Sequence, residues 1–222
     1  MEIIEKRMKE IAIFGAGGFG KEVACMINLI NKEKPTWNLI GFFDDNPKYK
    51  GEMISHYGEV LGGMEELNCW ERPLSVVIAV GNPLIVKKIV MNITNTKLEF
   101  PNLWHPRSYV NDPMTFSIGK GNIIQSDCSF SCDVHIGDFN VFNGAVVFGH
   151  DDSVGSYNSF MPNIRISGEV TIGDCNFFGV GSTILQQIKI GNEIRLGAGS
   201  VLMRNAKSGL LYMGNPAKII KL

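Results

Sequence analysis

One of the four histidines in this 222-residue chain stands beside two carboxylates. His150 is followed directly by Asp151 and Asp152. A neighbouring carboxylate can fix the tautomer of an imidazole and stabilise its protonated form, which is what a general base near neutral pH requires. His150 is therefore a candidate base, and at this point either carboxylate qualifies as its partner. Because many surface histidines have acidic neighbours, an ordinary turn histidine is the competing interpretation.

A second candidate site is a glycine-rich loop near the N-terminus. An apolar run, Ile11–Phe14, leads into a loop with Gly15, Gly17 and Gly20, and the segment Lys21–Ile30 follows with helical spacing of its apolar residues. Glycines let the backbone approach a phosphate, and a helix N-terminus offers free N–H groups and positive potential. The pattern predicts a nucleotide-binding loop, although such a loop can also be only a tight turn from strand to helix.

The next predicted strand of this region ends in acidic residues. It covers Asn38–Phe43 and is followed by Asp44 and Asp45, where a Rossmann-like unit places the acid that contacts ribose hydroxyls. A dinucleotide fold needs two mononucleotide halves, and only about one half to two-thirds of such a fold fits before His105. We therefore expect a mononucleotide, as part of a nucleotide-sugar.

A repeat of six residues positions the histidine. Fifteen positions in steps of six, from Ile118 to Leu202, are all apolar. At the chain's 45% hydrophobic content, this run has chance odds on the order of one in a hundred thousand. Pairs of an apolar residue and glycine recur every 18 residues, so three hexads form one coil and five coils run from Ile118 to Lys207.

A period of six residues fits a triangular parallel β-helix in which each flat side takes one hexad. The apolar residue points inward, and small flanking residues are expected to turn the corners. The three flat sides are surfaces on which subunits can pack, so we expect an oligomer, with a homotrimer as the natural choice. The sequence therefore predicts an α/β domain over residues 1–108, followed by a β-helix with a C-terminal tail over residues 109–222.

Composition narrows the functional classes. A formal net charge of −1 gives no electrostatic reason to expect nucleic acid or an anionic membrane as partner. The charged N-terminus and the lack of a long apolar run favour a cytoplasmic protein. The five cysteines form no CxxC pair and are expected to be free, and no ligand spacing for a metal occurs.

Five segments together resemble the sugar O-acyltransferase family. They are Gly15-Ala-Gly-Gly-Phe-Gly-Lys-Glu-Val, Gly41-Phe-Phe-Asp-Asp-Asn-Pro, the hexad array, Val147-Phe-Gly-His-Asp and Gly214-Asn-Pro-Ala-Lys. This family contains sialic acid O-acetyltransferases and N-acetyltransferases of nucleotide-linked 4-amino sugars. The resemblance covers nearly the whole chain. It implies a small Rossmann-like parallel-sheet domain followed by a left-handed parallel β-helix, with acetyl-CoA as donor, a trimer and an active site in the groove between adjacent β-helices.

The resemblance also implies roles for individual residues. The catalytic base falls on His150 and its orienting acid on Asp151, where relatives commonly carry Glu. Substrate-binding positions fall on Gly15, Gly17, Gly20, Asp44 and Asp45. Contacts to acetyl-CoA fall on Gly168, Gly179, Ala198 and Lys218. Ser159 departs from the pattern, because a relative has a second histidine at this position.

The expected reaction is direct acetyl transfer to the amine of a nucleotide-linked amino sugar. O-acetylation of sialic acid or another sugar hydroxyl is the alternative, and a free sialic acid would leave the nucleotide-binding domain without a ligand. A non-catalytic scaffold that binds a sugar nucleotide is an alternative of another class. An NAD-dependent dehydrogenase would need a second nucleotide-binding half, which this sequence does not contain. A zinc enzyme of this fold would need three histidines, and the coils contain only His135 and His150.

Overall fold

The computed structural model describes residues 8–221. By their internal contacts these residues form two compact units. The first contains residues 8–80 and 91–101, and the second contains residues 81–90 and 102–221. The predicted domain boundary between residues 108 and 109 stays a prediction.

The first unit is built on a six-stranded sheet. Its strands are β1 (Lys9–Phe14), β2 (Trp37–Phe43), β3 (Met53–Ile54), β4 (Gly58–Gly62), β5 (Leu74–Ile78) and β6 (Leu98–Glu99). The helices within the described residues are α1 (Gly18–Glu33), α2 (Met64–Asn68) and α3 (Pro83–Asn92), with a 3₁₀ turn at Pro47–Tyr49. The strand order is β3-β4-β2-β1-β5-β6, and all neighbours are parallel except β3 with β4.

Strand β1 lies between β2 and β5, which explains why its apolar run is continuous. Residues Ile11–Phe14 are almost fully buried, as expected for a central parallel strand covered on both faces. Helix α1 follows β1 directly, and its buried stripe contains Val23 and Ile27. The carboxyl ends of β1 and β2 meet at one edge, so the glycine loop and the acids after β2 lie together.

The second unit is a parallel β-helix with three flat faces. Face A contains β7 (Leu103–Trp104), β10 (Ile123–Ile124), β13 (Val141–Phe142), β16 (Ser159–Phe160), β19 (Phe177–Phe178), β22 (Arg195–Leu196), β24 (Leu211–Gly214) and β25 (Ala217–Ile220). Face B contains β8 (Tyr109–Val110), β11 (Ser129–Phe130), β14 (Val147–Phe148), β17 (Arg165–Ile166), β20 (Thr183–Ile184) and β23 (Val201–Leu202). Face C contains β9 (Ser117–Ile118), β12 (His135–Ile136), β15 (Ser153–Val154), β18 (Thr171–Ile172) and β21 (Lys189–Ile190).

Each strand from β9 to β20 pairs with the strand 18 residues further on, so the predicted coil length is confirmed. Val147 pairs with Arg165, for example, and Phe148 pairs with Ile166. Of the fifteen apolar hexad residues, fourteen are buried, and Ile118 in the first coil is half-buried. The interior is filled by ladders of like side chains, because parallel stacking in register places residue i above residue i+18.

Aromatic and amide ladders hold the coils together. The stacked rings of Phe142, Phe160 and Phe178 have centroids 4.9 and 4.7 Å apart. Asparagines at positions 122, 140, 158 and 176 form a second buried ladder. Within it, the side-chain oxygen of Asn140 accepts from both the backbone N–H and the side-chain amide of Asn158, at 2.8 and 3.0 Å. These bonds satisfy buried polar groups at the corners.

The corners differ from the prediction that small residues turn them. From residue 121 to residue 199, every sixth residue has a left-handed backbone, with φ between 54° and 70°, and these positions include Phe139 and Tyr157. The outward side chain meets solvent or its neighbour one coil away, so size is tolerated there. Glycine is needed instead at positions such as Gly155, where a Cβ would approach the carbonyl oxygen of Gly173 to 2.8 Å.

None of the helices within residues 8–221 has the length and apolar character needed to cross a membrane.

Candidate active site

His150 occupies the corner between faces B and C. Strand β14 ends at Phe148, the chain turns through residues 149–152, and β15 begins at Ser153. The backbone of this corner is bonded to both neighbouring coils, since Asp151 N–H donates to the carbonyl of Cys132 and Glu169 N–H donates to the carbonyl of His150. The corner therefore presents the imidazole from a rigid element.

The His150 side chain is paired with Asp151. The distance from His150 Nδ1 to Asp151 Oδ2 is 2.6 Å. Asp151 has a left-handed φ of 58°, and aspartate is one of the residues that adopt this conformation most readily. A carboxylate on Nδ1 keeps the proton on that nitrogen, so the lone pair of the neutral ring is on Nε2. Both side chains are more than half exposed, which leaves the ring accessible to a substrate.

Electrostatics favour the protonated imidazole. The hydrogen bond that His150 Nδ1 donates to Asp151 is the largest influence and raises the pKa of His150 above its usual value of 6.5. Desolvation acts in the opposite direction, and the charges of Asp151, Glu169 and Asp152 add to the increase. A base with a raised pKa is a stronger proton acceptor, and such tuning is typical of general bases.

Asp152 is oriented differently from Asp151. It is only 1% exposed, and its Oδ1 accepts a hydrogen bond of 2.8 Å from the backbone N–H of Val170 in the next coil. The carboxylate that touches the His150 ring is therefore that of Asp151. The sequence left these two neighbours as alternatives, because it does not show which side of the corner faces inward.

The imidazole of His150 lies against Gly168, one coil further on. A Cβ on residue 168 would come within 2.6 Å of Nε2 and 2.7 Å of Cε1. Gly168 has no left-handed backbone angle that would itself require glycine. Glycine at position 168 therefore leaves space for the His150 ring. This structural role is separate from its predicted contact to acetyl-CoA.

The glycines of the N-terminal loop have two different roles. A Cβ on Gly15 would lie 2.6 Å from the carbonyl oxygen of Ala79, and a Cβ on Gly20 would collide with the carbonyl of Gly15. Gly17 and Gly18 face open space, since a Cβ on either residue would have no neighbouring atom within 4 Å. The first pair therefore allows close packing, and the second pair leaves the start of helix α1 accessible.

A cavity of about 420 Å³ adjoins this accessible backbone. Lys21 and Lys48 contribute to its lining, and the ammonium group of Lys48 lies 5.8 Å from the ring centroid of Tyr49. Gly17 caps helix α1 without a side-chain hydrogen bond, and the first turn contains no acid. Free amides, a helix N-terminus and two lysines together form a suitable site for a phosphate group.

The two acids after β2 already make contacts within the protein. Asp44 Oδ2 accepts from the backbone N–H of Ala16 at 2.7 Å, which links the end of β2 to the glycine loop. Asp45 Oδ1 accepts from the backbone N–H of Met64 at 2.7 Å, at the start of helix α2. Both carboxylates thus position backbone at the predicted nucleotide site, and their contact to a ribose or base stays a prediction.

The predicted acetyl-CoA positions lie at separate places on the β-helix. Gly168 is at the corner between faces B and C, whereas Gly179 and Ala198 are adjacent at the corner between faces A and B. A Cβ on Gly179 would lie 2.5 Å from Ala198 N. Lys218 is exposed on β25, which pairs antiparallel with β24. Face B separates the two corners, and Ser159, on face A, is 1% exposed.

Sequence reasoning missed three features of these sites. They are the clearance of Gly168 for the His150 ring, the buried position of Asp152 and the two lysines beside the glycine loop. Alignment of residues at 18-residue intervals carries a signal for the first two, because it places residue 168 above residue 150. Among residues 8–221, no cluster of three or more His, Cys, Asp or Glu side chains is arranged to hold a metal ion.

Comparison with known proteins gives matches to both units. Residues 10–93 match the family described as the PglD N-terminal domain. No curated protein matches this chain. The acetyltransferase domain of PglB from Neisseria gonorrhoeae FA1090 is 27% identical with a TM-score of 0.86, and the match covers 96% of this chain and all of that one. The same domain in complex with acetyl coenzyme A matches at a TM-score of 0.85, with the same identity and coverage.

A third solved structure supports the fold alone. PerB from Caulobacter crescentus, in complex with CoA and GDP-perosamine, is 24% identical with a TM-score of 0.86. The match covers 97% of this chain and 99% of that one. The comparisons confirm the predicted fold class, a Rossmann-like domain followed by a left-handed parallel β-helix. They also confirm the predicted resemblance to sugar acetyltransferases of the hexapeptide-repeat type, and with it the class of enzyme.

Proposed function

We propose that this hexapeptide-repeat acetyltransferase transfers the acetyl group of acetyl-CoA to the amine of a nucleotide-linked amino sugar, with His150 as general base. The observation that carries the proposal is the 2.6 Å contact between His150 Nδ1 and Asp151 Oδ2 on an accessible corner of the β-helix. The similarity to the PglB domain solved with acetyl coenzyme A supports the donor.

The proposed reaction uses this chain's residues in one direct step. His150 Nε2 takes a proton from the acceptor amine while the amine nitrogen attacks the thioester carbonyl carbon. A C–N bond forms, the C–S bond breaks, and the proton held by His150 can then neutralise the departing thiolate. Acetyl-CoA supplies an activated acyl group with a good leaving group. Asp151 stabilises the imidazolium, and a backbone N–H is the expected donor to the developing oxyanion.

The first unit supports a nucleotide-linked acceptor over a free sugar. Its cavity combines open glycine amides with Lys21 and Lys48, which are groups that bind phosphate. Gly15, Gly17, Gly20, Asp44 and Asp45 are the proposed substrate-binding residues. Complexes of PerB with GDP-perosamine show that a protein of this fold binds such a substrate. O-acetylation of a sialic acid or another sugar hydroxyl is the second candidate, since the same base can deprotonate a hydroxyl.

Acetyl-CoA is proposed to contact Gly168, Gly179, Ala198 and Lys218. Gly168 lies at one corner of face B, Gly179 and Ala198 lie at the other corner, and Lys218 lies on β25. We further propose a homotrimer in which the grooves between adjacent β-helices form the active sites.

Thiol release tests the proposed function. Acetyl-CoA is incubated with UDP-, GDP- and dTDP-linked 4-amino sugars and with free sialic acid, and the free thiol is measured. Turnover on a nucleotide-linked amine that falls by about 10²–10⁴-fold in His150→Ala supports the proposal. His135→Ala is the matched control, because His135 is exposed on the same β-helix. Turnover on sialic acid alone would instead establish O-acetylation. A wild-type protein that binds the sugar nucleotide and releases no thiol would indicate a scaffold.

A further inference from the structure

A buried acid interrupts an otherwise apolar ladder inside the β-helix. Steps of 18 residues along one interior position give Phe116, Val134, Asp152, Val170, Ile188 and Ala206. The side chains on either side of the acid, Val134 and Val170, are fully buried, and Asp152 itself is 1% exposed. A carboxyl group at this position loses its hydration, so its presence needs an explanation other than core packing.

Only one oxygen of this carboxyl has a partner among the described residues. Asp152 Oδ1 accepts from Val170 N–H at 2.8 Å, whereas no hydrogen bond is formed by the buried Oδ2. Burial is the main influence and raises the pKa of Asp152 to about 7, against the opposing effects of the Val170 N–H, the charge of His150 and the Gly149 N–H.

Charged and titratable groups surround the same corner on every side. His150 and Asp151 precede Asp152 on the corner itself, and Cys132 and Asp133 occupy the equivalent positions of the preceding coil. Glu169 occupies the equivalent position of the next coil, and its charge also acts on His150. Asp152 differs from these groups because it is enclosed in the core.

We propose that Asp152 is a positioning residue for acetyl transfer: its carboxyl ties the His150 corner to Val170 in the next coil and places a second negative charge beside the base. The role rests on the proposed function of His150. A side chain that served packing alone would be apolar here, as in the neighbouring coils. We therefore attribute the acid to its effect on the His150 corner, because an apolar side chain at this position would make the folded state more stable.

Two substitutions separate the tether from the charge. Asp152→Val makes the ladder uniform but removes both the acceptor for Val170 N–H and the charge. Asp152→Asn keeps an acceptor oxygen and removes only the charge. We expect Asp152→Val to unfold at the same or a higher temperature while kcat falls about tenfold and KM for acetyl-CoA changes less than twofold. Asp152→Asn should recover most of the wild-type kcat.

The pH profile reports the charge. Loss of a neighbouring negative charge lowers the pKa of His150, so the acid limb of kcat/KM should move to lower pH in both variants. Ile188→Val is the control, since it changes the same ladder two coils away from His150. Three outcomes would overturn the proposal. The first is a wild-type kcat in Asp152→Val, and the second is a loss of kcat in that variant together with a lower unfolding temperature. The third is an Asp152→Asn variant that is no more active than Asp152→Val.

Titration of His150 without substrate keeps this test independent of the proposed reaction. NMR of protein labelled at histidine Cε1 gives the titration curve, and His150→Asn assigns the signal. A lower His150 pKa in Asp152→Asn supports the effect of the Asp152 charge on His150, even if no acceptor releases thiol. In that case the proposed acetyl transfer is wrong and the effect of the Asp152 charge on His150 still stands. An unchanged His150 titration overturns the role of the charge.

Discussion

The imidazole of His150 lies against the α-carbon of Gly168, a residue of the next coil in the same register. A methyl group on residue 168 would approach Nε2 to 2.6 Å, so the position of the ring depends on a residue 18 positions away in sequence. Parallel coils make this relationship possible, since each corner stacks on the corner before it.

Gly168→Ala is expected to displace the His150 ring and lower kcat by about tenfold or more, because misplacement of a catalytic group by about an ångström can cost up to about 10²-fold in rate. The thiol-release assay measures this loss, and circular dichroism checks the fold. Gly144→Ala is the matched control, since its Cβ would meet its nearest neighbours at an ordinary 3.6 Å. Equal activity in the two variants would show that the ring does not need this space.

Asp151→Asn is expected to move the acid limb of kcat/KM to lower pH. The hydrogen bond to Asp151 is the main reason that the pKa of His150 is raised. In the proposed reaction, the neutral imidazole is the form that accepts the proton. Activity therefore falls as pH decreases through this pKa, and the fall begins at a lower pH when the carboxylate is gone. The variant should also lose about tenfold or more in kcat, because the tautomer is no longer fixed.

Asp133→Asn is the control for this change. Asp133 has a similar left-handed φ of 54° one coil earlier, and asparagine tolerates that conformation at both sites. An acid limb that stays in place in Asp151→Asn, measured across about pH 5 to 9, would show that Asp151 does not set the basicity of His150.

Gly17→Ala and Gly20→Ala should fail in different ways. A methyl group on Gly17 meets no atom within 4 Å and would project into open space at the proposed phosphate site, so KM for the nucleotide-sugar should rise about tenfold with little change in unfolding temperature. A methyl group on Gly20 would collide with the Gly15 carbonyl and should cost about 1–3 kcal/mol of stability. Thermal unfolding and substrate titration distinguish the two results.

The stability of the wild-type protein should decrease as pH rises from about 4 to 7. The pKa of Asp152 is raised by burial from 3.8 to about 7, so the folded state binds a proton that the unfolded state has released in this range. The stabilising contribution is fully present below pH 3.8 and is lost as pH passes 7. Asp152→Asn removes this group and should make the dependence flatter in urea unfolding at several pH values.

Phe160→Ala tests the ladder that supports the site. The Phe160 ring is fully buried and stacks on Phe142 and Phe178, with centroids 4.9 and 4.7 Å away. Its truncation should cost about 3–5 kcal/mol, because the coils above and below cannot close the cavity. Denaturant unfolding measures the loss, and Ile184→Val, a smaller change on another face, should cost only about 0.5–1.5 kcal/mol.

Much of the fold could be predicted because its periods are short. The hexad and its 18-residue multiple are visible in the order of apolar residues, and stacking in register follows from the period alone. The strand–glycine loop–helix pattern likewise predicted β1 and α1, since local spacing decides which face is buried. His150 could be selected because its acidic partner is its sequence neighbour.

Other features depend on which way each side chain faces, and only the tertiary structure decided them. Asp151 and Asp152 are chemically identical neighbours, yet one is held outward by a left-handed corner and the other is enclosed in the core. The Gly168 clearance and the lysines beside the glycine loop arise from residues that meet across coils or loops. The sequence by itself determined the repeat and the candidate base, because both depend on residues that are close together along the chain. The partner of that base and the space around it were decided by packing, because packing joins residues that are distant along the chain.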